Sequence, residues 1–404
     1  MCFFIYIQYP YLQIIIKMDL SYIINHLGEN REQYFNAISP PIVQSSNFTF
    51  NDIEQMRQSL KDELNIPFYT RGGNPTVTIL RQKIAALEKA EDALVFGSGS
   101  AAVSAAVMSQ VKAGDHIICV AKPYSWTNKL LTKLLGRFGV THTFVDGTNT
   151  ANFANAMQSN TRLIYLESPN SMTFELQDIP AVVALAKKHN CITIIDNSYA
   201  SPIYQNPIEM GVDIVVHSAT KYLNGHSDAV IGVLCSSHKI VRHIFEGEYM
   251  TLGGIISPND AWLLLRGLRT LPIRMKQTSE TAAKVVEFLE AHPLVSKVYY
   301  PFSPSFPQHN LARRQMSGCS SLLSFELNLP NLASVERFCN QLKYFLLACS
   351  WGGHESLIFP LCVLYTSENY QQSTLPWNLV RMYIGLEDAN TLINDIEQAL
   401  STAK

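Results

Sequence analysis

The chain has 404 residues, of which 47% are hydrophobic and 16% charged. This is too apolar for a disordered chain and enough for a large buried core. Lys plus Arg number 31 and Asp plus Glu 33, a net charge of −2, which excludes the basic surface of a nucleic-acid binder. At ~150 residues per domain the length predicts two or three domains.

Residues 1–16 carry no charge, and Lys17 follows. The run falls short of the ~20 apolar residues of a membrane-spanning helix, and Gln8, Pro10 and Gln13 interrupt it. It also lacks the basic start and small-residue cleavage site of a secretory leader. Residues 1–17 are therefore expected to be an apolar extension, either a loose arm or the product of a misassigned start, with Met18 the true one. No membrane role is expected.

In NPTVTILRQKIAALEKA, Val77, Leu80, Ile84 and Leu87 recur at helical spacing, with Asn74 as N-cap and Pro75 in the first turn. Strands are predicted at 93–96, 116–120, 141–145, 162–166, 191–196, 213–218 and 229–235, with helical stretches such as 100–110 and 181–189 between them. Continuous apolar strands alternating with helices predict an α/β fold built on a mostly parallel sheet covered on both faces. After about Gly267 the pattern changes. A helix near 278–292, strands at 296–300, 321–327 and 379–386 and a last helix at 390–400 predict a smaller α+β unit. Domain limits of 18–73 (an arm), 74–267 and 268–404 follow.

The eight cysteines (Cys2, Cys119, Cys191, Cys235, Cys319, Cys339, Cys349 and Cys362) are scattered, without a CxxC pair. Neither a disulfide framework nor a metal-ligand set is read, and reduced thiols in a cytoplasmic enzyme are expected. No Walker A loop, HExxH, GxSxG or GxGxxG occurs.

Three features stand at carboxyl ends of predicted strands, where ligands bind in such sheets. Gly97-Ser98-Gly99-Ser100 precedes an Ala-rich helix and suits a phosphate cradle, or a plain flexible turn. Asp196 closes CITIID and could pair with a protonated ring nitrogen; alone it reads rather as a helix cap or surface residue. Lys221 lies 25 residues later, in HSATKYLNGHSD, and a partly desolvated lysine there is a nucleophile for carbonyls. Ser218 and Thr220 beside it offer hydroxyls to a phosphate. Phosphate cradle, ring-nitrogen carboxylate and Schiff-base lysine together are what pyridoxal 5'-phosphate (PLP) requires.

From about Pro40 to its end the chain resembles the Cys/Met-metabolism (transsulfuration) PLP enzymes. DIVVHSATKYLNGHSDAVIG resembles the family's cofactor-attachment motif, and YTRGGNPT its YxRxGNPT block. The resemblance implies the aspartate-aminotransferase-like fold (fold type I), with a seven-stranded large domain. It implies that Lys221 carries the cofactor, Asp196 meets its ring nitrogen, Tyr124 stacks on its ring, and Gly99 and Ser100 cradle its phosphate. Tyr69 and Arg71 would reach a neighbouring subunit's phosphate, so a homodimer or homotetramer is implied. Arg381, in LVRMYIGLED, would grip the α-carboxylate of an amino-acid substrate.

Cys349-Ser350-Trp351-Gly352-Gly353 is similar to the cystathionine β-lyase branch, since γ-specific branches usually carry Leu where Trp351 stands. LRGLRTLPIRM also resembles that branch. Cys349 departs from both the Tyr of β-lyases and the Glu of many γ-enzymes, and Ser125-Trp126-Thr127-Asn128 replaces the Gly-Gly of γ-branches. Substrate binding is expected at Arg381, Ser350 and Trp351, and β-elimination of L-cystathionine is the expected reaction. Cystathionine γ-synthase or γ-lyase activity, or a non-catalytic PLP carrier, are the alternatives.

Overall fold

Asn74 opens the helix Pro75–Glu88 as expected: its Oδ1 accepts the Thr76 N–H at 3.0 Å, and Pro75 holds the first turn. This computed structural model describes residues 4–9, 12–365 and 375–403, with the backbone alone for 4–9 and 12–17. Where a loose arm was expected, β1 (Phe4–Tyr9) and β2 (Leu12–Lys17) pair as an antiparallel hairpin, from Phe4 opposite Lys17 to Tyr9 opposite Leu12. The run of Ile and Tyr favours extended backbone.

Residues 18–34 dock on their own chain. Asp19 caps the helix Leu20–Asn25, and the buried Lys83 donates to the carbonyls of Ile23 (3.0 Å) and Ile24 (3.2 Å) and pairs with Glu29 at 3.1 Å. Glu29 also meets Arg31 and Arg269. Desolvation lowers the Lys83 pKa, and Glu29 works against that shift. Further along, Phe35, Ile38, Ile53 and Leu60 are exposed.

The main sheet holds seven strands among the described residues: β3 (Asp92–Phe96), β4 (His116–Val120), β5 (Thr141–Val145), β6 (Thr161–Glu167), β7 (Ile192–Asp196), β8 (Ile214–Ser218) and β9 (Gly232–Ser236). Their spatial order is β3-β9-β8-β7-β6-β4-β5. β9 alone runs against its neighbours, so the sheet is mostly parallel, and β3, β4 and β9 are buried along their whole length. β9 is shorter than expected. Ile231 is stitched to Thr220 instead, its N–H donating to the Thr220 hydroxyl at 2.9 Å.

A second sheet has the order β10-β11-β14-β13-β12, with β10 (Val295–Tyr299), β11 (Leu322–Leu327), β12 (Leu346–Leu347), β13 (Leu357–Pro360) and β14 (Leu379–Tyr383). One helix, Pro258–Ala291, precedes it. It begins twenty residues before the expected 278 and carries Pro272 in its interior. A proline ordinarily stops or kinks a helix. Here the continuous apolar face of Leu264, Leu265, Leu268, Leu271 and Met275 is buried on both sides of it.

Candidate active site

The parallel strands end on one edge, and Gly99, Asp196, Ser218 and Lys221 stand at their ends there. After β3 the chain turns through Gly97 and Ser98 into the helix Gly99–Met108, and Ser98 caps it by accepting the Ala101 N–H at 3.1 Å. The first helical N–H groups, those of Gly99 and Ser100, face outward at the positive end of the helix. A Cβ on Gly99 would stand 2.9 Å from the Ser218 Cα and 3.0 Å from its Oγ. Only glycine therefore lets this turn close on the Ser218 hydroxyl. Thr220 behaves differently: its hydroxyl donates to the Ile231 carbonyl at 3.1 Å and accepts the Ile231 N–H, so it braces the loop.

Asp196 ends β7, and its Oδ1 accepts the Ser198 N–H at 2.9 Å. Burial raises its pKa, while the Ser198 bonds and the positive fields of His217 and Lys221 pull it back. Lys221 follows β8 in a loop. Desolvation, with a smaller contribution from the Arg381 charge, lowers its ammonium to about 8. Its Nζ donates to Ser350 Oγ at 2.7 Å and lies 5.3 Å from the Trp351 ring centroid. Gly352, at φ +88°, makes that approach possible, because a Cβ there would come within 2.7 Å of the Tyr222 nitrogen.

Arg381 sits on β14 between Ser324 of β11 and Phe359 of β13. Its Nη2 donates to the Cys349 carbonyl at 2.9 Å, and its guanidinium lies 5.3 Å from the Phe359 ring centroid. Desolvation lowers it to about 10. Lys221, Ser350, Trp351 and Arg381 thus form one cluster joining the two sheets. Tyr124, on the loop after β4, keeps an exposed ring, and burial with the negative fields of Asp196 and Glu167 raises its phenol.

Tyr69 and Arg71 are not part of this cluster. Both are exposed, with the Arg71 guanidinium 5.6 Å from the Tyr69 ring centroid. Two contributors were missed in the sequence. Glu167 closes β6, is buried, and accepts the Tyr124 backbone N–H at 2.7 Å; it has the same signature as Asp196, an acid ending an apolar strand. Arg274, buried in the long helix, donates to the carbonyls of Tyr222 (2.8 Å) and Gly267 (2.9 Å) and so pins the loop that carries Lys221. An arginine in a helical run gives no sign of this.

Residues 22–401 match the model of the Cys/Met metabolism PLP-dependent enzymes. The chain belongs to this family. It is 40% identical over 384 residues to an L-methionine gamma-lyase of Treponema denticola, covering 93% of this chain and 95% of that one. It is 38% identical over 379 residues to a cystathionine beta-lyase of Lactococcus lactis subsp. cremoris, covering 93% and 97%. The crystal structure of metB from Corynebacterium glutamicum superposes with a TM-score of 0.89 at 34% identity, covering 96% of this chain and 99% of that one. The fold is that of the family, fold type I, and the cofactor is PLP.

As a member of the Cys/Met metabolism family, the chain is a PLP-dependent lyase. The site fits the cofactor in three respects. Its glycine turn leaves free N–H donors beside the Ser218 hydroxyl. A half-buried carboxyl at Asp196 has no cation in salt-bridge contact among the described residues. A lysine amine is held near neutrality. No helix among the described residues is long and apolar enough to cross a membrane.

Proposed function

We propose that the chain cleaves L-cystathionine by β-elimination, consuming one water and releasing homocysteine, pyruvate and ammonia. The observation that carries this reading is the position of Trp351, whose ring centroid lies 5.3 Å from Lys221 Nζ. An indole there would keep a sulfur leaving Cβ beside the same Nζ that takes the Cα proton.

Bound PLP supplies the electron sink for the Cα carbanion. Asp196 would hold the ring nitrogen of bound PLP protonated, because a carboxylate in a desolvated site is strongly favoured by a cation in contact. Gly99, Ser100 and Ser218 bind the phosphate, with Thr220 bracing the loop beneath it. Arg381, helped by Ser350, binds the α-carboxylate, the planar guanidinium matching two oxygens at once. Tyr124 covers the ring face. Lys221 removes the Cα proton and returns a proton to the departing thiolate, general acid–base work suited to an amine near pH 8.

The exposed Tyr69 and Arg71 complete the phosphate site of a second copy, making a homodimer or a homotetramer of two such pairs. Free thiols at Cys119, Cys191, Cys235, Cys319, Cys339, Cys349 and Cys362 support a reducing, cytoplasmic setting.

γ-Elimination is the second reading. It is supported by relatives named L-methionine gamma-lyase, at 40% identity in Treponema denticola and 39% in Fusobacterium nucleatum. Incubation with L-cystathionine and identification of the keto acid separates the two. Pyruvate is expected; 2-oxobutyrate would overturn β-specificity. Turnover only with an activated homoserine ester plus Cys would indicate a γ-synthase, and no turnover with cofactor bound a non-catalytic carrier.

A further inference from the structure

We propose that Glu167 is a positioning residue of this site, fixing Tyr124 through its backbone N–H while remaining a neutral carboxylic acid beside an ionised Asp196. The inference rests on the reading of Asp196 and Tyr124 as cofactor-facing residues. Glu167 and Asp196 are partners in the parallel register of β6 and β7. Their side chains therefore leave the same face of the sheet at neighbouring strand ends, on backbones about 4.8 Å apart across the sheet. Glu167 Oε2 accepts the Tyr124 N–H at 2.7 Å, and its Oε1 lies 2.5 Å from Ser171 Oγ.

The groups around Glu167 bring no positive charge. Asp196 faces it from β7, Cys119 from β4, Tyr165 from its own strand and Tyr124 from the loop after β4. No ion pair of the described residues includes it. Two desolvated carboxylates side by side cannot both ionise at low cost. Glu167 has the Ser171 and Tyr124 donors in its favour, whereas Asp196 has the Ser198 bonds and, in addition, the positive fields of His217 and Lys221, so the negative charge settles on Asp196. The proton stays on Glu167, whose pKa burial and Asp196 push up to about 8. The carboxyl serves both neighbours: Oε2 accepts the Tyr124 N–H and Oε1 accepts the Ser171 hydroxyl. Tyr124 starts the helix Ser125–Lys129 without a side-chain cap; its carbonyl accepts the Asn128 N–H at 3.0 Å, and Glu167 takes its N–H.

The test compares the full chain, loaded with PLP, as wild type and as Glu167→Gln, Glu167→Ala and Asp196→Asn. Infrared difference spectra of wild type minus Glu167→Gln at neutral pH should show the C=O stretch of a protonated carboxyl. In Asp196→Asn that band should vanish at lower pH than in wild type, since the like charge is gone. Glutamine, shaped like the neutral acid, should keep kcat within about threefold and preserve the visible circular dichroism of the bound cofactor. Alanine, with the Tyr124 N–H left unpaired, should cost about tenfold or more and change that dichroism. A carboxylate band in place of the C=O stretch, or a glutamine variant as impaired as alanine, would overturn the proposal. If wild type takes up no cofactor, the cofactor-site reading fails instead, and the infrared band still decides the protonation of Glu167.

Discussion

Lys221 Nζ donates to Ser350 Oγ across 2.7 Å, joining residues 129 positions apart. The bond ties the loop after β8 of the large sheet to the loop before β13 of the small one. The amine and the substrate-facing loop are therefore set by both sheets together.

Lys221 should load cofactor with an unusual pH dependence. An ordinary lysine loses its proton near ~10.4, whereas burial brings this one to about 8. Below that pH the amine is protonated and cannot attack an aldehyde. The rate of covalent PLP uptake by the apoprotein should rise about tenfold per pH unit below 8 and level off above it. Lys221→Ala should show no borohydride-fixable cofactor and no turnover, read by mass spectrometry and keto-acid assay.

Arg381→Lys should lose substrate more than it loses fold. One point charge replaces a fork that can grip both carboxylate oxygens. A loss of about 1.5–3 kcal/mol, roughly 10–100-fold in kcat/KM, is expected while the thermal midpoint stays close to wild type. Equal kcat/KM in the two proteins would remove Arg381 from the carboxylate site.

Gly352→Ala should damage the site through the backbone. The residue stands at φ +88°, and the new methyl would press on the Tyr222 nitrogen at 2.7 Å. Left-handed strain of about 1–2 kcal/mol adds to that clash. Ser350 should be pushed off Lys221, so steady-state kinetics should show kcat falling even at a temperature where the variant is fully folded by circular dichroism.

Arg274→Met should destabilise the loop that carries Lys221. It removes the donors to the Tyr222 and Gly267 carbonyls from a buried place. The Gly267 carbonyl keeps the Thr270 hydroxyl, but the orphaned Tyr222 carbonyl costs about 1–3 kcal/mol. Urea unfolding should show a lower midpoint, and the cofactor should dissociate faster; an unchanged midpoint would contradict the clamp.

Much of this was legible in the sequence because it is local. Strands 116–120 and 141–145 match β4 and β5 residue for residue, and the acid or lysine at a strand end places itself once the strand is known. Glu167 was hidden because one glutamate before Ser-Pro looks like a surface residue until β6 is seen to lie beside β7. The long helix was cut short because Pro272 resembles a terminator, and only tertiary burial of both flanks overrides it. The meeting of Ser350 with Lys221 depends on how two sheets pack, which no local pattern encodes.

Lys83 sets how short this enzyme can be made. Its ammonium is solvated by three oxygens, and all of them come from residues 23–29. A chain begun at Met18 keeps the whole solvation shell and should fold and load cofactor as the full chain does. A chain begun beyond Glu29 leaves a cation stranded between the helices Pro75–Glu88 and Pro258–Ala291, at a cost of about 3–5 kcal/mol, and should fail to fold. The lower limit of this protein is thus fixed by the hydration of one buried ion some distance from any reacting atom.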